Sequence, residues 1–309
     1  MAVSPYIGRF APSPTGPLHK GSLLAALASF LDARANNGQW LLRIEDIDPP
    51  REVPGAADRI LKQLDDHGLH WDGPVLYQSS RLPTYKDALQ QLSQVGLLYA
   101  CDCNRARLRT LGGCYDGACR VHKLNASASI PNKPCAIRIQ LPEHSVIALD
   151  DLIQGPLVFD LSKVGDFILW RRDQLPAYQL ACSLDDNFQN ITHAIRGLDL
   201  LDSTPRQVYL LRSLGLATPQ YGHIPVLNNL QGQKLSKQNH APELNANQAS
   251  SNLLDCLQLL AMPVPRGLRH SPVQQIINWA IAHWRRSRIP SLAAVTESDK
   301  IDKLSQTNT

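Results

Sequence analysis

The first fifty residues constrain the fold most. Tyr6 to Phe10 is a short apolar, aromatic run that reads as a strand. Ala11-Pro12-Ser13-Pro14-Thr15-Gly16-Pro17 after it is a string of breakers. From Gly21 the spacing predicts a helix, with Leu23, Leu24, Leu27 and Leu31 on one face, stopped by Asn36-Asn37-Gly38. Trp40 to Ile44 is a second apolar strand that runs into Glu45-Asp46-Ile47-Asp48. A strand, a crossover helix and a second strand pair in parallel with a right-handed connection. That places the loop after the first strand at the ligand-binding edge of the sheet. An α/β architecture is expected.

A further helix is expected around Ala57, Ile60, Leu61 and Leu64. Apolar periodicity lapses from about 100 to 134, where Cys, Gly, Arg and Asp are frequent. This stretch reads as an insertion held by something other than a hydrophobic core. Apolar strands return at Cys135 to Leu141 and Asp166 to Trp170. A third apolar stretch runs from Ala177 to Leu184, and Ile191 to Ile195 leads into Arg196-Gly197. The tail is helical: Asn252 to Met262 carries Leu253, Leu254, Leu257 and Leu260. Ser271 is the expected cap of a last helix, with Pro272 at its first position and Ile276, Ile277, Ala280 and Trp284 buried. A chain of 309 residues has room for one large domain or two modest ones. No uncharged apolar run of about 18 residues occurs, and the start lacks the regions of a signal peptide, so a soluble cytoplasmic protein is expected. The net charge of +4 fits an anionic partner but is weak evidence for one.

Two segments carry the chemistry. Arg9-Phe10-Ala11-Pro12-Ser13-Pro14-Thr15-Gly16-Pro17-Leu18-His19-Lys20-Gly21-Ser22 straddles the first strand–helix junction, and Lys234-Leu235-Ser236-Lys237 lies in a Gly/Gln-rich loop. A helix N-terminus with Gly21 lets backbone approach an anion, and the helix dipole favours negative charge there. His19 can donate to phosphate oxygens, and two lysines on a loop can neutralise charge developing on phosphorus. Either segment alone says little; both in this order say much.

The pair resembles the HIGH and KMSKS signatures of class I aminoacyl-tRNA synthetases, with Leu235 in place of Met and Gln238 in place of the final Ser. The Arg-Phe-Ala-Pro-Ser-Pro-Thr-Gly run and Ile195-Arg196-Gly197-Leu198-Asp199 are similar to the glutamyl branch. The resemblance spans roughly residues 5 to 240. It implies a Rossmann-like catalytic domain over 1–240 with a zinc-binding insertion at about 100–134, and a short helical region over 241–309. It implies His19, Lys234 and Lys237 as catalytic residues, and His19, Gly21, Ser22 and Lys237 as ATP-binding residues, with Mg²⁺ accompanying ATP.

Glutamate carries two carboxylates and one ammonium, so its pocket needs two cations and one anion, and arginine suits carboxylates by its bidentate fork. Arg9 and Arg196 each follow an expected strand, Glu45 ends the second strand, Ser13 can hydrogen-bond, and Tyr178 offers a hydroxyl on an apolar wall. The resemblance implies that Arg9, Phe10, Ala11, Pro12, Ser13, Glu45, Tyr178 and Arg196 bind glutamate. Which arginine takes which carboxylate stays open. Arg9 pairing simply with Glu45, and Tyr178 being ordinary core, are the structural alternatives.

Seven cysteines are an odd, sparse set, unlike a secreted disulfide framework, yet Cys101, Cys103, Cys114 and Cys119 crowd together. Thiolates this close favour tetrahedral zinc, and four ligands close a structural site. Cys114 would complete an all-thiolate set. The cluster also resembles the zinc site of short glutamyl-synthetase paralogues, which implies Cys101, Cys103, Tyr115 and Cys119. Cys114 remains the rival, and His122 a further candidate.

About 70 residues follow Lys237, too few for the large anticodon-binding region of a glutamyl-tRNA synthetase. With the cysteine cluster, this points to the family of glutamyl-Q tRNA(Asp) synthetases. Membership implies ATP-dependent activation of L-glutamate, transfer to queuosine at the wobble position of tRNA(Asp), no protein nucleophile, and a monomer. The rivals are a minimal glutamyl-tRNA synthetase charging tRNA(Glu) and a non-catalytic RNA-binding relative. Arg105, Arg107, Arg109, Arg120, Arg285 and Arg286 are candidate phosphate contacts or ordinary solvated charge.

Overall fold

The computed structural model describes residues 5–112, 114–124, 135–235, 241–296 and 299. The chain opens with β1 (Ile7–Phe10), α1 (Lys20–Ala35), β2 (Gln39–Ile44), α2 (Ala56–Asp66) and β3 (Leu76–Tyr77). The three strands form one parallel sheet in the order β1-β2-β3, with Ile7 opposite Gln39 and Phe10 opposite Leu42. The expected strand–helix–strand unit is therefore present. Helix α1 is apolar almost all round, as a helix enclosed by the molecule must be. Its one buried acid, Asp32, accepts hydrogen bonds from Tyr6 Oη and from Trp284 Nε1, and an ion pair from Arg286.

Then come α3 (Leu82–Gln94), β4 (Leu98–Cys101), α4 (Arg105–Thr110), β5 (Ala136–Ile139), β6 (Val146–Asp151), β7 (Gly155–Asp160), α5 (Leu161–Val164) and β8 (Phe167–Trp170). Strands β4, β5 and β8 make an antiparallel sheet, and β6 and β7 a hairpin. The apolar stretch beginning at Ala177 is helix α6 (Tyr178–Phe188), which buries Leu180, Ala181 and Leu184 at i, i+1 and i+4. Next follow β9 (His193–Gly197), α7 (Thr204–Ser213), β10 (Gln220–Ile224) and β11 (Val226–Asn228). Strands β9 and β10 pair in parallel, and Thr192 N donates to the Ile7 carbonyl at 2.9 Å, so β9 lies beside β1.

The chain closes with α8 (Ala249–Leu259), α9 (Val273–His283) and β12 (Ala294–Thr296), the last pairing in parallel with β11. Helix α9 starts one residue after the sequence expectation. Pro272 is its N-cap, and Ser271 instead donates its backbone N–H to the Leu268 carbonyl.

Buried apolar side chains fall into three groups. One joins α1, β2 and α2 to α8 and α9: Leu23, Leu27, Leu253, Leu257 and Ile276 share it. A second lies among α3, β4, β5, β8, α6 and α7. The third is small, comprising Tyr99, Cys101, Tyr115 and Cys119, and it belongs to the insertion. No described helix is long and apolar enough to cross a membrane.

Candidate active site

The carboxyl ends of β1 and β9 and the N-terminus of α1 meet at a cavity of about 240 Å³. Its lining includes Arg9, Phe10, Ala11, His19, Gly21, Ser22, Tyr178, Arg196, Asp199 and Lys234, so the two signature segments share one pocket. This is the edge of a parallel sheet at which α/β folds hold ligands.

His19 is the N-cap of α1, and its Nδ1 accepts the Ser22 backbone N–H at 3.2 Å. In the neutral ring this bond leaves the proton on Nε2, a donor suited to an anion. A Cβ built on Gly21 would lie 3.1 Å from the His19 ring and 3.5 Å from the Leu235 carbonyl, so Gly21 is where the two segments touch. Lys20 points elsewhere, to Asp255 on α8 at 2.9 Å. Lys234 Nζ is 2.6 Å from Asp199 Oδ2, which ties the second lysine segment to the turn after β9. Ser236 and Lys237 lie outside the described residues.

Arg9 and Arg196 reach the cavity from adjacent strands but are held differently. Arg9 donates Nε and Nη2 to the two oxygens of Asp186 on α6, at 3.1 and 3.3 Å. Arg43 on β2, fully buried, donates to Asp186 at 2.8 Å and to Glu45 at 3.3 Å. The chain of charges is thus Arg9–Asp186–Arg43–Glu45, and Glu45 pairs with Arg43, not with Arg9. Burial raises the Asp186 carboxyl, but Arg9 and Arg43 outweigh it and bring it down to about 2. Glu45 is pushed up by burial, with Arg43 and Arg9 opposing only in part. Burial also raises the Tyr178 hydroxyl, which stays neutral.

Arg196 stacks over the Tyr221 ring at 4.9 Å and donates Nη2 to Thr204 and Nε to His223. Its Nη1 is buried with no hydrogen-bond partner among the described residues. Arg196 lines the cavity, and a buried guanidinium nitrogen without a partner calls for an acceptor, which a carboxylate bound there could supply. Glu45, Pro12 and Ser13 do not line the cavity itself. Glu45 is buried beside it, and its backbone N–H donates to the Pro12 carbonyl at 3.0 Å. Sequence reasoning missed Asp186, Arg43, Asp199, His223 and Asp151. Only Asp199 carried a local signal, as the last residue of the Arg-Gly-Leu-Asp run.

In the insertion, the Tyr115 hydroxyl lies 3.5 Å from Cys101 Sγ and 3.4 Å from Cys103 Sγ, and Cys103 Sγ lies 3.5 Å from Cys119 Sγ. The three sulfurs are mutually close enough to hold a metal ion. Cys114 Sγ turns away, to the Ser162 carbonyl at 3.5 Å. Arg138 lies over the Tyr115 ring at 4.0 Å, and Arg107 donates to Cys103, so cations surround the sulfurs. His122 contributes backbone bonds to Cys119 and Ala100.

Residues 7–278 match the family of tRNA synthetases class I (E and Q), catalytic domain. The glutamyl-Q tRNA(Asp) synthetase of Cronobacter sakazakii is 48% identical over 295 residues, 95% of this chain and 97% of that protein. That of Pseudomonas aeruginosa is 47% identical over 295 residues, 95% and 98% of the two chains. The crystal structure of the glutamate–tRNA synthetase from Elizabethkingia anophelis superposes with a TM-score of 0.78 at 25% identity, covering 98% of this chain and 70% of that one. A second glutamate–tRNA ligase, from Elizabethkingia meningosepticum and solved with its amino acid, gives the same TM-score. The chain belongs to the class I tRNA synthetases of the E and Q type, within the glutamyl-Q tRNA(Asp) synthetase family.

Proposed function

We propose that this protein activates L-glutamate with ATP and transfers the glutamyl group to queuosine in tRNA(Asp). The observation that carries this reading is near-full-length identity of 47–48% to proteins of that name. The cavity chemistry supports the first half-reaction. A glutamate α-carboxylate oxygen attacks the α-phosphorus of ATP in line, and the bond to the bridging oxygen breaks with release of pyrophosphate. A queuosine hydroxyl then attacks the activated carbonyl carbon, AMP leaves, and the hydroxyl proton passes to solvent or phosphate.

In this reading Arg196 Nη1 and the remaining face of Arg9 grip the carboxylates, and Glu45 with the Tyr178 hydroxyl receives the ammonium. Phe10 and Ala11 shape the near wall, and Pro12 and Ser13 continue the loop behind it. His19 Nε2 and the α1 N-terminus at Gly21 and Ser22 meet the phosphates, and Lys234 and Lys237 draw charge from the departing pyrophosphate. Mg²⁺ brought with ATP shares that charge. Positioning and charge stabilisation supply the rate, and no side chain becomes covalently modified.

The metal of the insertion is zinc in this reading, bound by Cys101, Cys103, Tyr115 and Cys119. A tetrahedral zinc with Zn–S of about 2.3 Å separates its ligand atoms by about 3.7 Å, close to the separations found here. Bound there, it holds the insertion together where apolar burial is slight. The protein works in the cytoplasm, where thiols stay reduced.

ATP–pyrophosphate exchange with free glutamate and no tRNA tests activation. Transfer of labelled glutamate to queuosine-containing tRNA(Asp), but not to queuosine-lacking tRNA(Asp) or to tRNA(Glu), tests the acceptor. Lys237→Ala is expected to lower exchange sharply at unchanged zinc content; exchange at the wild-type rate refutes its role.

A further inference from the structure

Among the described residues Arg196 Nη1 has no hydrogen-bond partner, whereas its other two nitrogens are both engaged. Nε donates to His223 Nε2 at 3.2 Å, and Nη2 donates to Thr204 Oγ1 at 2.8 Å. His223 sits opposite Arg196 in the β9–β10 register, so the two side chains project from neighbouring strands. On its other side His223 Nδ1 meets Asp151 Oδ2 at 2.5 Å, and both side chains are fully buried. Asp151 is itself fixed. Its Oδ1 accepts the backbone N–H groups of Ile153 and Gln154, in the turn between β6 and β7, and of His223 on β10, at 2.9–3.1 Å.

The proton inventory favours one arrangement. Arginine nitrogens only donate, so His223 Nε2 accepts from Arg196 and carries no proton, and Thr204 Oγ1, 3.0 Å from the same nitrogen, can donate to it as well while accepting from Arg196 Nη2. Nδ1 must then hold the proton and donate it to Asp151. A protonated His223 would set an N–H against the Arg196 N–H in a buried site. Burial foremost, with Arg196 assisting and Asp151 opposing, keeps the ring neutral.

We infer that Asp151 and His223 are positioning residues for substrate recognition. The Asp151 carboxylate fixes the His223 tautomer, and the lone pair this leaves on Nε2 holds the Arg196 fork at the cavity wall, with Nη1 left to meet a carboxylate of the amino acid. The relay rests on Arg196 contacting that amino acid, as above. It carries no step of the chemistry, so its loss appears in amino acid binding and not in ATP binding.

Three variants separate the parts. Asp151→Asn keeps the acceptor for the turn but offers an N–H to Nδ1, which drives the ring proton to Nε2 against Arg196. His223→Asn keeps a group near Asp151 and loses the acceptor for Arg196, whereas His223→Gln places an amide oxygen near the position of Nε2. In ATP–pyrophosphate exchange, Asp151→Asn and His223→Asn should raise the glutamate KM about tenfold or more, the scale of an unpaired buried donor. Their ATP KM should stay within about twofold, and His223→Gln should restore most of the glutamate KM. Nitrogen-15 spectra of labelled histidine should show an unprotonated Nε2 at His223 in the wild type. Arg196→Lys serves as the control. If it leaves the glutamate KM unchanged, the reading of the pocket fails and the relay with it. If it raises that KM while Asp151→Asn and His223→Asn do not, or if they raise both KM values together, the relay alone is overturned.

Discussion

Replacing Asp186 by Asn should separate the structural from the substrate-facing part of the buried charge cluster. Asp186 is 2% exposed and accepts three donors from two arginines that are 4% and 0% exposed. In Asp186→Asn the hydrogen-bond acceptor survives, but Arg9 and Arg43 lose their shared counter-charge, with Glu45 and Asp185 the remaining carboxylates acting on Arg43. Removing one partner of a buried ion pair costs about 3–5 kcal/mol. For a protein of this size that lowers the melting temperature by roughly 5–8 °C, read by thermal unfolding. The pH dependence has a definite sign. Asp186 is held below its ordinary value, so its contribution is fully present above about pH 4 and is lost as pH falls through the folded value of about 2. The gap between variant and wild type should therefore be constant from pH 5 to 7 and narrow below pH 4. Glu45→Gln is the counterpart. Burial pushes Glu45 up, so a neutral amide relieves a buried anion and should change stability by less than about 1 kcal/mol while the glutamate KM rises about tenfold. A melting temperature for Asp186→Asn within 2 °C of wild type, or equal losses of stability in both variants, would refute the division of roles.

Cys119→Ser should abolish stoichiometric zinc, read by metal analysis, while Cys114→Ser keeps it, because Cys114 Sγ faces Ser162 and the other three sulfurs face each other. Chelation should raise hydrogen exchange across 101–119 and leave the amides of α1 protected, since the two regions have separate buried clusters. Gly21→Ala forces a methyl to 3.1 Å from the His19 ring, and should lower ATP–pyrophosphate exchange about tenfold or more with a melting temperature changed by only a few degrees.

What the sequence revealed of the site follows chain proximity. Arg9, His19 and Gly21 belong to one strand, loop and helix, and breakers with helical spacing mark that junction without any knowledge of the rest. Arg196 and Lys234 were found by short runs of recognisable order. Asp186 was not, because an acid on an amphipathic helix looks like a solvated residue until α6 is folded against β1 and β2, and its partner Arg9 lies 177 residues away. Asp151 and His223 are hidden for the same reason. Cys114 and Tyr115 are neighbours in sequence, and no spacing rule decides between them; backbone direction sends one side chain to α5 and the other to the sulfurs. Ala177 to Leu184 shows the limit of an apolar run read alone: the same residues suit a buried strand or helix, and packing against β8 and α7 decides.

The C-terminal helices take their meaning from α1. Its N-terminus carries His19, Gly21 and Ser22, so whatever fixes α1 also fixes the end of the cavity proposed to meet the phosphates. Lys20 is tied to Asp255 on α8, the Leu244 N–H donates to the Leu18 carbonyl, and Arg286 and Trp284 after α9 bond Asp32 near the other end of α1. Apolar side chains of α8 and α9 fill the space between these tethers. A helix held at both ends and along one flank cannot tilt without breaking several buried contacts at once, which is how a group is kept within a few tenths of an ångström of a working position. Helices α8 and α9 therefore hold the same cavity as the opening strand, from the far side of α1.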